Sequence, residues 1–425
     1  MKPNRQALIF STVWPEPDSS AAGVRQMHWI HLLLDLFDQV TLISPSKTKG
    51  VEDWGHLKVP DRVSLLPLPM NDWSVKEKLK ELNPELVMFD RFILEEQFGP
   101  IVYESLPRAL ILLETQDLHL VRRARESVRE QFLEMQVFPP QFYQTDTALR
   151  ETAAIDRVDF SFLVSSFEEA LLKSEFGMGG DQQAWVPFFY DEPQVKSGEL
   201  SFQERSDFVW IGNFRHAPNV DGLRWFRAEI WPRIRKALPG SKLRIYGAYP
   251  SAEVMSWNLP QKTGIEVKGS AESLSEVYSH ARVNLAPLRF GAGVKGKILE
   301  GFRFGVPVVT TKVGLEGIMP MGQDDQFPGL IAQTAEDFAR ECVDLYQNER
   351  IWNEKRLLAT DLMLGVYDSK KTLPGLKARI ERMLSEKKEG SLPRWRSKIL
   401  RHELFNSHKY FSKWIEAKEK AATPK

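Results

Sequence analysis

Short apolar or β-branched runs alternate with amphipathic stretches from one end of the chain to the other, the signature of repeated βα units and a mainly parallel sheet. In the first half, ALIFSTV (7–13), QVTLIS (39–44), VSLLPL (63–68), ELVMFD (85–90), RALILLE (108–114) and DFSFLVSS (159–166) are the expected strands. Six such runs suffice for one doubly wound domain. Between the first two lies AAGVRQMHWIHLLLDLF, where Val24, Met27, His31, Leu34 and Phe37 recur at helical spacing and form the expected buried face. Asp18, Ser19 and Ser20 are the candidate caps of that helix.

After VPFFYDEPQVKSGELS (186–201), a polar segment carrying Pro, Gly and Ser, the alternation restarts. DFVWIG (207–212), KLRIYG (242–247), GIEVKG (264–269), ARVNLAP (281–287), VPVVTT (306–311) and GLIAQ (329–333) form a second strand series with helical segments between them. The 425 residues also exceed what one hydrophobic core serves efficiently. The expected organisation is a first α/β domain over 1–187, a linker over 188–205, a second α/β domain over 206–375, and C-terminal helices with a basic tail over 376–425. The halves share a layout and no residue-level repeat.

The last stretch, 392–425, departs from both domains. Leu400, Leu404, His408, Phe411 and Ile415 can share one helical face, and from Ser391 onward nine Lys or Arg stand against three Asp or Glu. Two readings follow: a helix packed on the body of the protein, or an interfacial helix on anionic lipid.

Over the whole chain 57 Lys and Arg balance 57 Asp and Glu, so no global field exists to hold a nucleic acid and any anion site must be local. The single cysteine, Cys342, rules out an internal disulfide and a cysteine-cluster zinc site; a small buried helix residue in a reducing cytoplasm is expected. The N-terminal apolar run is broken by Trp14 and Pro15, too short for an export signal. No apolar stretch approaches the roughly 18–20 residues of a membrane-spanning helix. A cytoplasmic protein is expected, with the tail as a possible peripheral contact on the inner face of the membrane.

The chemistry concentrates in RFGAGVKGKILEGFRFG (289–305). Glycines allow close backbone approach to a ligand, and the free N–H groups that open a helix form an anion site. On a helix beginning near Val294, Lys297 and Glu300 share a face while Ile298 and Phe302 face the core. Lys295 and Lys297 suit phosphate; a carboxylate one turn further on can accept hydrogen bonds from ribose hydroxyls. The plainer alternative is a glycine turn before an ordinary surface helix, its lysines solvated and Glu300 unpaired.

PLRFGAGVKGKILEGFRFGVPVVTTKVGLEGI resembles the C-terminal signature of family 4 glycosyltransferases. FVWIGNFRHAPNVDGLRWF (208–226), with its Pro218–Asn219 pair, resembles the opening of that family's second domain; VDFSFLVSSFEEALL (158–172) and VPFFYDEP resemble segments at the end of the first. The resemblance covers most of 7–375 and implies the GT-B fold, two Rossmann-like domains facing across a cleft, and metal-independent, retaining transfer from a nucleotide-diphosphate sugar. It places Glu300 on the donor ribose and Lys295 and Lys297, above all Lys297, at the leaving diphosphate. Gly23 would offer a backbone amide from the first domain. In ETQDLHLVRRARE (114–126), Asp117 and His119 fall near the reacting sugar and acceptor; Arg122, Arg123 and Arg125 read as a solvated helix face, with an anionic acceptor as the alternative.

Two positions depart from the pattern. Ala292 stands where the signature's first glutamate belongs, so amides of Gly291, Gly293 and Val294 are the expected substitutes at the sugar. The usual Arg and Lys pair after 208–212 is missing, and Arg215 is the candidate replacement. No acidic pair has the spacing of a metal-binding loop, so no metal and no cofactor beyond the sugar nucleotide is expected. The expected activity is glycosyl transfer onto a glycan, lipid-linked or other acceptor in bacterial surface-polysaccharide synthesis. A sugar-nucleotide epimerase on the same fold and a non-catalytic GT-B-like binding protein are the alternatives.

Overall fold

The computed structural model describes residues 4–17, 20–46, 60–68, 75–131, 135, 138–191 and 201–404. The first-half strands are β1 (Gln6–Phe10), β2 (Gln39–Ser44), β3 (Val63–Pro67), β4 (Leu86–Asp90), β5 (Leu110–Glu114), β6 (Phe160–Leu163) and β7 (Gln183–Trp185). They form one sheet in the order β3-β2-β1-β4-β5-β6-β7, every pairing parallel. Strands β4 and β5 are buried at every position, as unbroken apolar runs covered on both faces must be. The edge strand β7 is the one the pattern missed, three residues opening on Gln183. Helices α1 (Ala21–Leu36), α2 (Val75–Leu82), α3 (Phe92–Ser105), α4 (His119–Glu126), α5 (Asp146–Arg157) and α6 (Ser166–Phe176) connect them.

The second sheet runs β10-β9-β8-β11-β12-β13 and is also wholly parallel. Its strands are β8 (Ser206–Ile211), β9 (Leu243–Tyr246), β10 (Ile265–Gly269), β11 (Ala281–Ala286), β12 (Val308–Thr310) and β13 (Gly329–Ile331). Its helices are α7 (Ala217–Trp225), α8 (Trp231–Ala237), α9 (Ala252–Met255), α10 (Pro260–Thr263), α11 (Leu274–Tyr278), α12 (Gly296–Arg303), α13 (Lys312–Leu315), α14 (Ala335–Gln347) and α15 (Glu349–Gly365). Strand order reverses direction between β1 and β4 and again between β8 and β11. Ligands of such sheets bind at the carboxyl ends of the strands beside these reversals. Cys342 lies in the apolar core around β8, fully buried, as expected.

Helix α1 corrects the sequence reading. Ser20 is its cap, its hydroxyl accepting from the Gly23 amide at 3.0 Å, while Asp18 and Ser19 lie outside the described residues. Leu34 and Phe37 are buried as expected, but the face also carries Arg25, Gln26, Trp29, Leu32 and Leu33, while Val24 and Met27 are half-buried and His31 is exposed. Spacing alone placed only part of the face because a buried arginine sits in it. Arg25 meets Glu114 at 3.1 Å and donates to the Pro187 carbonyl at 2.6 Å, so its charge is matched inside the core.

Among the described residues the chain crosses between the sheets twice. Tyr190 N–H donates to the Tyr367 carbonyl at 2.8 Å, and Ser369 N–H to the Tyr190 carbonyl at 3.0 Å, which pairs the outgoing and returning segments. Phe188, Phe189 and Tyr190 are buried there, although the sequence places them at the start of a polar linker; 192–200 lie outside the described residues. The returning α16 (Ser369–Lys388) then packs Leu376, Ile380, Met383 and Leu384 against the first domain, on Ala7, Trp29, Leu110 and Phe160.

Buried Asp159 holds that return. Its carboxylate meets Lys387 at 2.8 Å and Arg401 at 2.8 Å, and accepts from the Ile111 amide at 2.8 Å. Breaking a buried ion pair leaves an uncompensated charge and costs about 3–5 kcal/mol. Asp159→Ala is therefore expected to lower the unfolding free energy in denaturant titration by about that amount; a loss under ~1 kcal/mol rejects the anchoring role.

Candidate functional site

The loop from β11 into α12 carries the glycine motif. Gly291 has φ 143° and Gly293 φ 65°, and α12 begins at Gly296, two residues later than the pattern suggests. Val294 packs instead in an apolar cluster with Ala21 and Val24 of α1. A Cβ on Gly293 would sit 2.8 Å from that of Asp117, so a side chain there is excluded twice, by conformation and by contact. The donor-side loop thus presses directly on the loop after β5.

Lys297, Lys295 and Glu300 hang from this segment. The Lys297 ammonium donates to Asn219 Oδ1 at 2.6 Å and lies 4.7 Å from the Trp210 ring centroid; burial brings its pKa down to about 7. Lys295 donates to the Gly293 carbonyl at 2.6 Å, and burial lowers it as well. Glu300 is buried and paired with Arg303 at 2.7 Å; burial pushes its pKa up against the pull of that arginine. Arg303 in turn lies 4.4 Å from the Tyr190 ring, at the crossing segment. Glu300 is therefore not the unpaired surface acid of the plainer alternative. The sequence spacing of 300 and 303 held the clue to its partner.

The facing wall is the loop after β5 and the head of α4. Gln116 has φ 62°, which turns the chain so that Asp117 reaches Arg122 at 3.1 Å and stands 3.7 Å from His119 Nε2. Burial works against the Asp117 carboxylate, but Arg122 and its other neighbours hold its pKa below the usual range. His119 is buried edge-on to Phe92, and burial outweighs Asp117 to lower its imidazole to about 4, so it is neutral at pH 7. Helix α4 has no cap of its own; Glu151 of α5 accepts from the His119 amide at 3.0 Å and the Leu120 amide at 2.7 Å.

Between the walls run contacts that sequence reasoning missed. Glu168 Oε1 accepts from the Leu118 amide at 3.1 Å and from the Gly293 amide at 2.7 Å. Arg125 forks onto Glu316, at 2.5 and 3.0 Å, and donates to the Gly291 carbonyl at 2.9 Å. Arg125 is 2% exposed, so the expected solvated arginine face holds for Arg123 alone, with Arg122 half-buried on Asp117. Glu168 was hidden by Ser165, whose S-x-x-E spacing reads as a local helix cap.

Three further expectations change. The Gly293 amide is held by Glu168 and not left open. The Gly23 amide is committed to Ser20; Gly23 is needed because a Cβ would meet the Glu16 backbone at 2.4 Å. Arg215 is exposed and lies over Tyr249, 3.6 Å from the ring centroid, whereas Asn219 takes the place beside Lys297. His216, exposed on the rim of the cleft, faces Asp117, Arg122 and both lysines.

Residues 205–348 match the family described as "Glycosyl transferases group 1", so the second domain carries a glycosyl transferases group 1 domain. An uncharacterized 44.6 kDa protein in the cps region of Klebsiella pneumoniae is 26% identical over 196 residues, 45% of this chain and 48% of that protein, so the match spans about half of its length. Sucrose-phosphate synthase from Thermosynechococcus elongatus superposes with TM-score 0.65 at 14% identity over 90% of this chain and 99% of that one. Alr3699/HepE of Anabaena, solved with UDP and glucose, superposes at 0.63 with 11% identity over 89% and 99%. WaaG, a glycosyltransferase involved in lipopolysaccharide biosynthesis, gives 0.59 at 13% identity over 88% and 99%. The architecture is the two-domain GT-B fold.

Lys297 also makes the site testable without a ligand. Its amine is neutral in the folded state above about pH 7 yet protonated in the unfolded chain up to its ordinary value of 10.5, so its contribution to stability improves as pH rises between those limits. Against Lys297→Met, wild-type unfolding free energy is expected to climb more steeply from pH 7 to 10, by up to about 1.4 kcal/mol per pH unit. Equal slopes reject a neutral Lys297.

Proposed function

We propose that the chain is a glycosyltransferase of the family 4 kind, moving a sugar from a nucleotide-diphosphate donor to an acceptor hydroxyl with retention of configuration. The observation that carries the reading is the meeting of Lys295, Lys297 and Glu300 on α12, after the reversal strand β11, with Asp117 and His119 at the head of α4, after β5. In this reading the donor's ribose hydroxyls bond Glu300, and its diphosphate lies against Lys297, Lys295 and the opening amides of α12. The bond from the anomeric carbon to the diphosphate oxygen breaks, and its electron pair leaves with the diphosphate. The acceptor oxygen bonds the anomeric carbon and passes its proton to the departing phosphate oxygen. Two amines stripped of water gain most when that charge develops, the usual large term in such catalysis. Asp117 stabilises the positive sugar, and neutral His119 offers a hydrogen bond to sugar or acceptor.

Surface-polysaccharide synthesis in the cytoplasm is the setting we propose. The Klebsiella pneumoniae relative lies in a cps region and WaaG serves lipopolysaccharide synthesis, which supports this setting. A UDP-sugar donor is favoured because Alr3699/HepE and the pneumococcal O-GlcNAc transferase GtfA were both solved with UDP. Calorimetric titration of UDP, GDP and ADP tests the donor site. One nucleotide is expected to bind, and Glu300→Ala to weaken it about tenfold, the worth of one or two lost hydrogen bonds. Unchanged affinity removes the ribose assignment, and no binding by the wild type removes the donor-site reading.

The tail adds a proposed peripheral membrane contact. No described helix is long and apolar enough to cross a membrane. Of the expected stripe, Leu400 and Leu404 are half-buried, while His408, Phe411 and Ile415 lie outside the described residues. Arg394, Arg396 and Arg401 pair with Asp181, Asp156 and Asp159 of the first domain, which favours packing on the body for this part. Its outer side nevertheless presents Trp395, 76% exposed, and Ile399 with Lys398 between them. Trp395→Ala is expected to weaken sedimentation with phosphatidylglycerol vesicles severalfold; absence of binding by the wild type ends the idea.

A further inference from the structure

Glu168 has no place in the transfer chemistry above, yet one of its oxygens touches both walls of the cleft. It is 1% exposed on the first turn of α6. Its Oε1 accepts from Leu118, the residue after Asp117, and from Gly293, at the tip of the donor-side loop. The two amides belong to different domains, so the shared bond exists only when the domains are closed. Around it the closed contact continues. The Ser166 hydroxyl donates to the Met319 carbonyl at 3.1 Å, Arg125 holds Gly291 and Glu316, and Ala292 packs into the apolar cluster of the first domain.

We infer that Glu168 is a positioning residue: by holding the Leu118 and Gly293 amides on one oxygen it sets Asp117 and His119 against Lys295 and Lys297 and clasps the two domains in their closed arrangement. One oxygen accepting from two amides is a directional junction that needs only its acceptor lone pairs, since burial raises the Glu168 carboxyl to about 7. Glu151 fixes the next two amides of α4, so the Asp117 loop is rigid from within its own domain. Gly293 is the moving partner. When the clasp forms, Gly293 meets Asp117 with no room for a side chain, and the gap between the two walls is set to one value. Opening releases the Gly293 amide and admits a donor from the side of α12.

The clasp rests on the transferase reading only for its consequence in catalysis, and its geometry is tested separately. Spin labels at exposed Lys78 and Lys236, each replaced by cysteine in the full chain, report the distance between the domains. Wild type is expected to give one short, narrow distribution, Glu168→Ala a longer and broader one, and Glu168→Gln, whose amide oxygen still accepts, the wild-type one. Gly293→Ala leaves Glu168 intact but forces the loop off Asp117, and is expected to open the domains as Glu168→Ala does. An unaltered distribution in Glu168→Ala, or in Gly293→Ala should the first not fold, overturns the clasp. With UDP-glucose as the probe, Glu168→Ala is expected to lower kcat at least tenfold with KM within threefold. A rise in KM alone assigns Glu168 to donor binding and overturns the positioning role. If the wild type turns over no UDP-glucose, the donor assignment fails while the distance measurement still decides the clasp.

Discussion

A carboxylate buried at the carboxyl end of β5 organises the first domain and, through it, the cleft. Glu114 accepts from Arg25 at 3.1 Å and from the Trp29 indole at 2.6 Å on one oxygen, and from the Gln116 amide at 3.3 Å on the other. Arg25 and Glu114 are both essentially sealed from water. Taking two charges out of water is expensive, and the pair persists because nearly every polar atom finds a partner at good geometry. The return is geometric. One buried junction fixes α1, the first residue of the positive-φ turn that presents Asp117, and, through the bond from Arg25 to Pro187, the segment that leaves for the second domain.

The electrostatics of the cleft follow from its dryness. Lys295, Lys297 and His119 are each pushed toward the neutral form by burial, and Glu300 likewise, while Asp117 alone is held charged by the cations around it. A site built this way holds both lysines below their ordinary charge at rest. It becomes cationic where an anion arrives, because a phosphate beside a buried amine favours its protonation. The balanced composition of the chain means that its net charge draws no anions, so anion sites must be local.

The strands were legible because parallel strands buried on both faces must be apolar almost throughout, and twelve of the thirteen described strands correspond to runs visible in the sequence. The exception, Gln183–Trp185, is a short edge with no such demand. Lys297 and Glu300 were legible for a similar reason, since helical spacing puts them on one face and a glycine loop announces the anion site. What could not be read were partners distant in sequence. Arg25 was not among the expected buried residues and is core; Arg125 looked solvated and spans the cleft to Glu316, 191 positions away. Glu168 drew no functional reading from the sequence, yet its carboxylate reaches Leu118 and Gly293. Charges in the interior are placed by tertiary structure, and local pattern gives them the wrong address.

The paired crossings at Tyr190 set the mechanics of the molecule. Backbone bonds to Tyr367 and Ser369 bring the two connections side by side, with Phe189 stacked on His28 at 4.5 Å bracing one of them against α1. Two tethers fastened together act as one pivot. Sliding of one domain along the other would shear those bonds, whereas rotation about them leaves the bonds intact. Any rotation of one domain against the other about Tyr190 would be magnified at the far tips of the loops, because they lie farthest from the paired connections.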